Sequence, residues 1–374
     1  MAAAAEAALG RRFGEGVMTV PAVLDQTSHW RAFPATHPQP GEASEAAGRA
    51  ALALADVVQI EHGLLLVCLS GGASAMMAVP AVGLTIADKA NTTAALLKAG
   101  LDISEINVVR RHLSLIKGGQ LAARAGRSIT LAISDVCTPV EDDPVVIGSG
   151  PTVGDPSSFA DALKVITSHG LVNDVPARAV QHLEAGARGD APGPVDPSDP
   201  RLRQTAYWVV GSRQDAMNAA ASTAARLGYH VHVEPAPVVG EARQAPAPLL
   251  TRALELPRPA CAISSGETTV SVRGRGRGGR NQELALASLE VLARAAPCAM
   301  ASLGTDGVDG PTDAAGALVD SSMWSELGPA AAAIVEDALS RNDAYPLLDR
   351  LGALVRTGPS GTNVGDLQIV LVDD

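Results

Sequence analysis

Aromatic residues make up only 2% of this 374-residue chain, so Ala, Val and Leu must build its core. Cysteines are equally sparse: Cys68, Cys137, Cys261 and Cys298 stand far apart, with no CxxC pair. That pattern reads as buried, reduced thiols in a cytoplasmic protein. No apolar run approaches the length of a membrane span. The N-terminus also lacks the basic-then-apolar order of a secretory signal. Positive charge is in deficit as well, with 29 Lys and Arg against 40 Asp and Glu and a net charge of −11. An acidic body repels phosphate backbones, so neither nucleic acid nor membrane is expected as a partner, and a small anionic ligand is favoured.

What is present is a globular composition, 47% hydrophobic, in a chain long enough for two domains. The apolar run at 63–72 reads as a buried parallel strand, that at 128–136 as a second apolar strand, and the segment "AYWVVGS" (206–212) as a further strand. The alternating "HVHVE" (230–234) reads as another strand. "ACAISSG" and "TTVSVRG" read as two separate strands, followed by "CAMASLG" and the closing "LQIVLVD". Helices are expected over 2–9, 43–56, 85–99, 104–116, 157–168, 213–227 and 281–295. Strands alternating with helices imply an α/β class with a mostly parallel sheet. A boundary is expected between 235 and 257, around the proline-rich "EPAPVVGEARQAPAP". That divides the chain into a large lobe, 1–240, and a smaller lobe, 241–374.

Ligands of open α/β sheets gather at the carboxyl ends of strands, and four loops there carry chemistry. In "SGGASA", Gly71 and Gly72 would let backbone N–H groups face an anion, with Ser70 and Ser74 adding hydroxyls. The loop is neither a Walker A motif nor GxGxxG. Asp135 ends the second strand, where a carboxylate could hold Mg²⁺ or take a hydroxyl proton. Asp142 and Asp143 read as solvated, and Ser149 and Gly150 of "SGPT" add small donors.

"RGRGRGGRNQE" (273–283) runs into a helix. Arg280, Gly279 and Asn281 at its start suit a phosphate or carboxylate, while Arg273, Arg275 and Arg277 read as solvated. "GTDGVDGPTDAAG" supplies Thr305, Asp306, Asp309 and Asp313 in a spacing unlike an EF-hand. Asx-capped turns and Mg²⁺ or substrate contact are both open readings there. In "NVVRRHLSLIKGG", Arg110 and Lys117 could reach an anion, whereas a lone His112 carries no role. Arginines, glycine loops and carboxylates together fit phosphoryl transfer, and equally a dehydrogenase acting on a small acid.

The series "HPQPGEAS", "SGGASAMM", "INVVRRHLSLIKGGQLA", "SDV", "GSGPTVGDP", "GETTVSVRGRGRGGRNQELALA", "GTDGVDGPTDAAGA" and "SGTNVGDL" resembles, in this order, the glycerate 2-kinase family. The C-terminal part of that family is the MOFRL domain. The resemblance covers nearly the whole chain. It implies a Rossmann-like three-layer α/β/α large lobe and a smaller C-terminal α/β lobe with the active site between them. The implied reaction is ATP- and Mg²⁺-dependent phosphorylation of D-glycerate to 2-phosphoglycerate.

It also implies that Asp135 and Arg280 are catalytic; the residues themselves offer Asp135, Asp306 and Asp309 as candidate metal ligands. Family members have also been labelled hydroxypyruvate reductases, so an NAD(P)H-dependent reductase stays as an alternative. Against it, no GxGxxG follows a strand with an acidic residue about twenty positions on. The family carries a Gly-Lys-Ala segment ahead of the helix matching 2–9, and nothing in this sequence matches it. The expectation is a shortened product with weak kinase activity, or a non-catalytic binding protein, with Lys117 as the lysine to test. A homo-oligomer is left open.

Overall fold

The structure, a computed structural model, describes residues 1–20, 29–295 and 297–373. The chain is α/β and divides into two compact units, Met1–Ala132 with Asp142–Val210, and Ile133–Glu141 with Gly211–Asp374.

In the first unit, β1 (Gly16–Val20) pairs in parallel with β2 (Trp30–Pro34). A three-stranded sheet follows, ordered β3 (Leu65–Leu69), β4 (Ser128–Ile133) and β5 (Thr205–Gly211), with β3 and β4 parallel. Helix Glu42–Ile60 lays Ala51, Leu52 and Ala55 against Leu65, Ile116 and Leu121. Small side chains on that helix permit close packing where aromatics are lacking. Gly48 is one instance, since a Cβ there would come 2.5 Å from Val79.

A second cluster joins Leu96, Ile106, Val109, Leu113, Ile166 and Leu183 from four helices. These are Ile86–Lys98, Ile103–His112, Phe159–Ser168 and Ala177–Ala187. Two of them start on reciprocal caps: Thr85 with Asp88, and Ser158 with Asp161.

The second unit is built on β6 (His230–Val233), β7 (Val238–Glu241), β8 (Ala260–Thr269), β9 (Cys298–Gly304), β10 (Gly316–Asp320), β11 (Leu354–Val355) and β12 (Asp366–Val372). Their order is β11-β10-β9-β12-β8-β6, with β7 also on β8. Alternation along the strands makes three layers. Ala260 and Ala262 of β8 and Val370 and Val372 of β12 face a core with Leu284, Leu286 and Leu289 of helix Arg280–Ala293. Their neighbours Cys261, Ile263 and Ile369 face Met217 and Ala224 of helix Arg213–Arg226.

Four readings of the sequence change here. The larger sheet is mixed rather than mostly parallel: only β6 and β7 run parallel to β8, and the other pairs are antiparallel. "ACAISSGETT" is one strand, because Gly266 is no break. A Cβ there would lie 2.1 Å from the Val238 carbonyl oxygen, so the glycine lets β7 approach.

The proline-rich stretch is not a linker. It contains β7 and helix Pro246–Glu255, whose Leu249, Leu250 and Ala253 are buried, and Pro246 sits at the helix start, where a missing N–H is harmless. Residues 211–240, read with the first lobe, group with the second unit because β6 pairs with β8 and helix Arg213–Arg226 covers that pair.

Leu286 is fully buried in the larger core. Leu286→Ala should cost about 2–5 kcal/mol of unfolding free energy. A urea midpoint unchanged from the parent would show that this helix face is not packed as described.

Candidate active site

In the first unit, Lys117 is 1% exposed and donates to the Ser74 carbonyl at 2.9 Å, the Ser74 hydroxyl at 2.9 Å and the Gly148 carbonyl at 3.2 Å. All three ammonium hydrogens are thus engaged. Burial, then the charges of Arg110, Lys89 and Arg111, hold its pKa well below the usual lysine range. Ser74 Oγ lies 2.8 Å from Ser149 Oγ, which donates to Asn107 Oδ1 at 3.0 Å. Ser149 sits between Gly148 and Gly150, and all three have positive φ, at 61°, 61° and 59° for 148, 149 and 150.

Lys89 is also buried, donating to the Arg110 and Leu113 carbonyls at the end of helix Ile103–His112, and burial with Arg110 brings its pKa to about 7. Arg111 pairs with Asp155 at 2.5 Å, both buried. Arg110 is half-buried, which lowers its pKa, and its guanidinium has no hydrogen-bond or ion-pair partner among the described residues. Ser70 and Gly71 are exposed at the end of β3, and Gly72 takes a left-handed φ of 80°. Lys117, Ser74, Ser149 and Arg110 are therefore brought together. His112 is packed on Phe159 and bonded to the Val108 carbonyl, consistent with a structural histidine.

In the second unit, the arginine tract has a different logic from diffuse charge. Its backbone is strapped to residues 341–345: Arg273 and Gly274 donate to Asn342 Oδ1, Gly276 to the Arg341 carbonyl, and Arg277 to Asp343 Oδ1. A Cβ at Gly274 would come 2.1 Å from the Arg341 carbonyl oxygen, so the glycines face that backbone. Arg273, Arg275 and Arg277 are exposed, and Arg277 stacks on Tyr345 at 4.0 Å.

Arg280 alone meets carboxylates closely: two bonds to Asp366, at 2.6 and 3.0 Å, and one to Glu267 at 2.7 Å. Burial opposes its charge, but Asp366 and Glu267 outweigh it and raise its pKa. Burial raises Asp366 despite that arginine.

The helix start at 280 is not open to an anion, contrary to the expectation for Gly279 and Asn281. Asp309 takes that place, accepting from the Asn281 N–H at 3.1 Å and the Gln282 N–H at 2.9 Å. Burial pushes Asp309 up to about 6 against those two bonds. Gly279 is required for this plug, since a Cβ would lie 2.3 Å from the Asp309 carboxyl carbon. The Asn281 amide itself accepts from Ser302.

Asp306 caps the Val308 N–H, the Asx turn that the sequence allowed, and Thr305 donates to the Gly365 carbonyl. Asp313 holds Tyr345 and Arg356. Asp135 is half-buried and accepts from Asn363 Nδ2 at 2.8 Å, and its charge reaches Glu267. Among the described residues, no three His, Cys, Asp or Glu side chains converge as a metal nest, so Asp135, Asp306 and Asp309 do not form one together.

Sequence reasoning passed over Asn107, Asn363, Glu267 and Asp366. Asn363 and Asp366 lie in "SGTNVGDL", Glu267 in "GETT" and Asn107 in "INVVRR", but only their spatial partners reveal them.

The sequence matches the family model described as a domain of unknown function, DUF4147, over residues 1–184, and the MOFRL family over 260–366. It is 36% identical to D-glycerate 2-kinase of Thermotoga maritima, covering 100% of this chain and 88% of that protein. It is 37% identical to a putative hydroxypyruvate reductase of Agrobacterium vitis, covering 91% and 88%. The fold matches a crystal structure of glycerate kinase from Thermotoga maritima with a TM-score of 0.86 at 35% identity, covering 100% of this chain and 88% of the other. No helix among the described residues is long and apolar enough to cross a membrane. Family match, full-length identity and fold agree, and the chain belongs to the glycerate 2-kinase family.

Proposed function

We propose that the protein transfers the γ-phosphoryl group of ATP to the 2-hydroxyl of D-glycerate, giving 2-phosphoglycerate and ADP. The observation that carries this is the alignment of the entire chain with a protein named D-glycerate 2-kinase. In the reaction an O–P bond forms at the 2-oxygen as the bond to the β–γ bridging oxygen breaks. The hydroxyl proton leaves to a carboxylate or to solvent. Such transfer depends on positioning and on charge placed where phosphate charge develops.

The geometry supports a division of labour. The Arg110 region, with Ser70, Gly71, Gly72, Ser149 and Gly150, offers uncompensated positive charge for substrate anions. Asp135, held by Asn363, would orient or deprotonate the 2-hydroxyl. Arg280, with N–H groups beyond the three already bonded, would contact the transferring phosphoryl or the carboxylate. Lys117 acts through Ser74 and Ser149 and does not itself touch substrate. Magnesium would enter with the nucleotide, held chiefly by phosphate oxygens and one or two carboxylates, as is usual for this ion. Asp135 and Asp306 are the carboxylates proposed for it, whereas Asp309 is committed to the helix start. Four free cysteines fit a reducing, cytoplasmic setting.

An assay for ADP formation from D-glycerate should be positive, with phosphorus NMR placing the phosphate on the 2-oxygen. The parallel assay is NADH oxidation with hydroxypyruvate, the activity in the Agrobacterium vitis protein's name. Turnover there without ADP formation would overturn the kinase reading. Asp135→Asn should lower kcat/KM at least about 100-fold while leaving the melting temperature in place. A change within about threefold, under 1 kcal/mol of barrier, would remove Asp135 from the chemistry.

Arg280→Lys keeps charge near Asp366 but loses the two-pronged geometry, and should cost kcat about 10-fold or more. Arg273→Ala, at an exposed side chain, should stay within about twofold. Equal effects would mean that the tract acts only as diffuse charge.

A further inference from the structure

The hydrogen-bond chain that begins at Lys117 has a fixed direction. Lys117 Nζ donates to all three oxygens that it touches, so Ser74 Oγ accepts from it. If Ser149 donated to Ser74 as well, the Ser74 hydroxyl hydrogen would be left without a partner in a half-buried site. The satisfied arrangement runs one way: Lys117 to Ser74, Ser74 to Ser149, and Ser149 to Asn107 Oδ1 at 3.0 Å. The chain thus ends on the carbonyl oxygen of Asn107 and settles which way that amide points.

The consequence falls on the other end of the amide. Asn107 is 2% exposed, yet its Nδ2 donates to no described residue. Arg110 lies three residues on, the spacing that puts two side chains on one helix face. Its guanidinium likewise has no partner among the described residues, while Asp155 is taken by Arg111. Lys89, Arg110, Arg111 and Lys117 all act on this region, and no carboxylate offsets the charge on Lys117. Ser149, which passes the chain to Asn107, keeps a left-handed φ of 61°. For a non-glycine residue such strain is typical of functional sites.

We infer that Asn107 Nδ2 and the Arg110 guanidinium form a two-donor seat for the carboxylate or phosphate group of a small anion, with Lys117, Ser74 and Ser149 as the positioning chain that turns the amide toward it. Naming the occupant as D-glycerate or ATP rests on the proposed kinase function. The existence of the seat does not.

Calorimetric titration of inorganic phosphate, D-glycerate and ADP into the intact chain tests this without turnover. Asn107→Asp keeps the acceptor for Ser149 and replaces the donating NH₂ with a carboxylate beside Arg110. It should weaken one ligand class at least about tenfold. Loss of D-glycerate alone assigns a carboxylate seat, and loss of phosphate and ADP assigns a phosphate seat. The melting temperature should hold or rise, because the new carboxylate pairs with Arg110, and Arg110→Gln should weaken the same ligand class.

Affinities within twofold of the parent for all three probes would overturn the seat. So would a parent protein that binds none of them, or an affinity loss matched by a large fall in melting temperature. A parent that binds these anions but does not phosphorylate D-glycerate would remove the kinase reading and leave the seat standing.

Discussion

A buried ammonium must spend its charge on the oxygens it touches, and Lys117 has three within reach. Left without them, a buried cation would cost several kcal/mol, so the loops bearing Ser74 and Gly148 are held where Lys117 needs them. The rest of the first unit's polar arrangement follows. Ser149 is drawn into its strained conformation between two glycines, Gly118 and Gly119 bond the Ser149 and Gly150 carbonyls, and Asn107 is left as the end of the chain. A lysine that reads in sequence as a reaching, catalytic group is instead the tie between two loops.

The second unit solves the opposite problem. Here the buried charges include the carboxylates of Asp309 and Asp366, 2% and 1% exposed. One is answered by a helix start and the other by Arg280. Both answers depend on glycine or on chain crossing: Gly279 makes room for Asp309, and Asp366 opens β12, the strand between β8 and β9. Arg280 is thereby fixed at the surface end of a carboxylate group that includes Glu267, while Asn363 fixes Asp135. The first unit thus gathers Lys89, Arg110, Arg111 and Lys117 in one region, and the second unit holds a paired acidic set; these are the two kinds of group that phosphoryl transfer uses.

The sequence by itself determined the α/β class, the strands β3, β4 and β12, and the resemblance that led to the family. These are local matters: an apolar run, an ordered set of motifs. It also separated Arg280 from the solvated arginines, because a helix start is visible locally. Tertiary structure decided what depends on partners far along the chain. Whether strands run parallel follows from which neighbours they meet, and β7 hid inside a proline-rich stretch until Gly266 let it pair with β8.

The helix start at 280 looked open to phosphate because its occupant, Asp309, comes 28 residues after Asn281. Asn107 carries no signal in "INVVRR", for its outward amide is dictated by a lysine ten positions on and by a serine 42 residues away. Periodicity and propensity act over a few residues, whereas the satisfaction of a buried charge or amide is settled by whatever the fold brings to it.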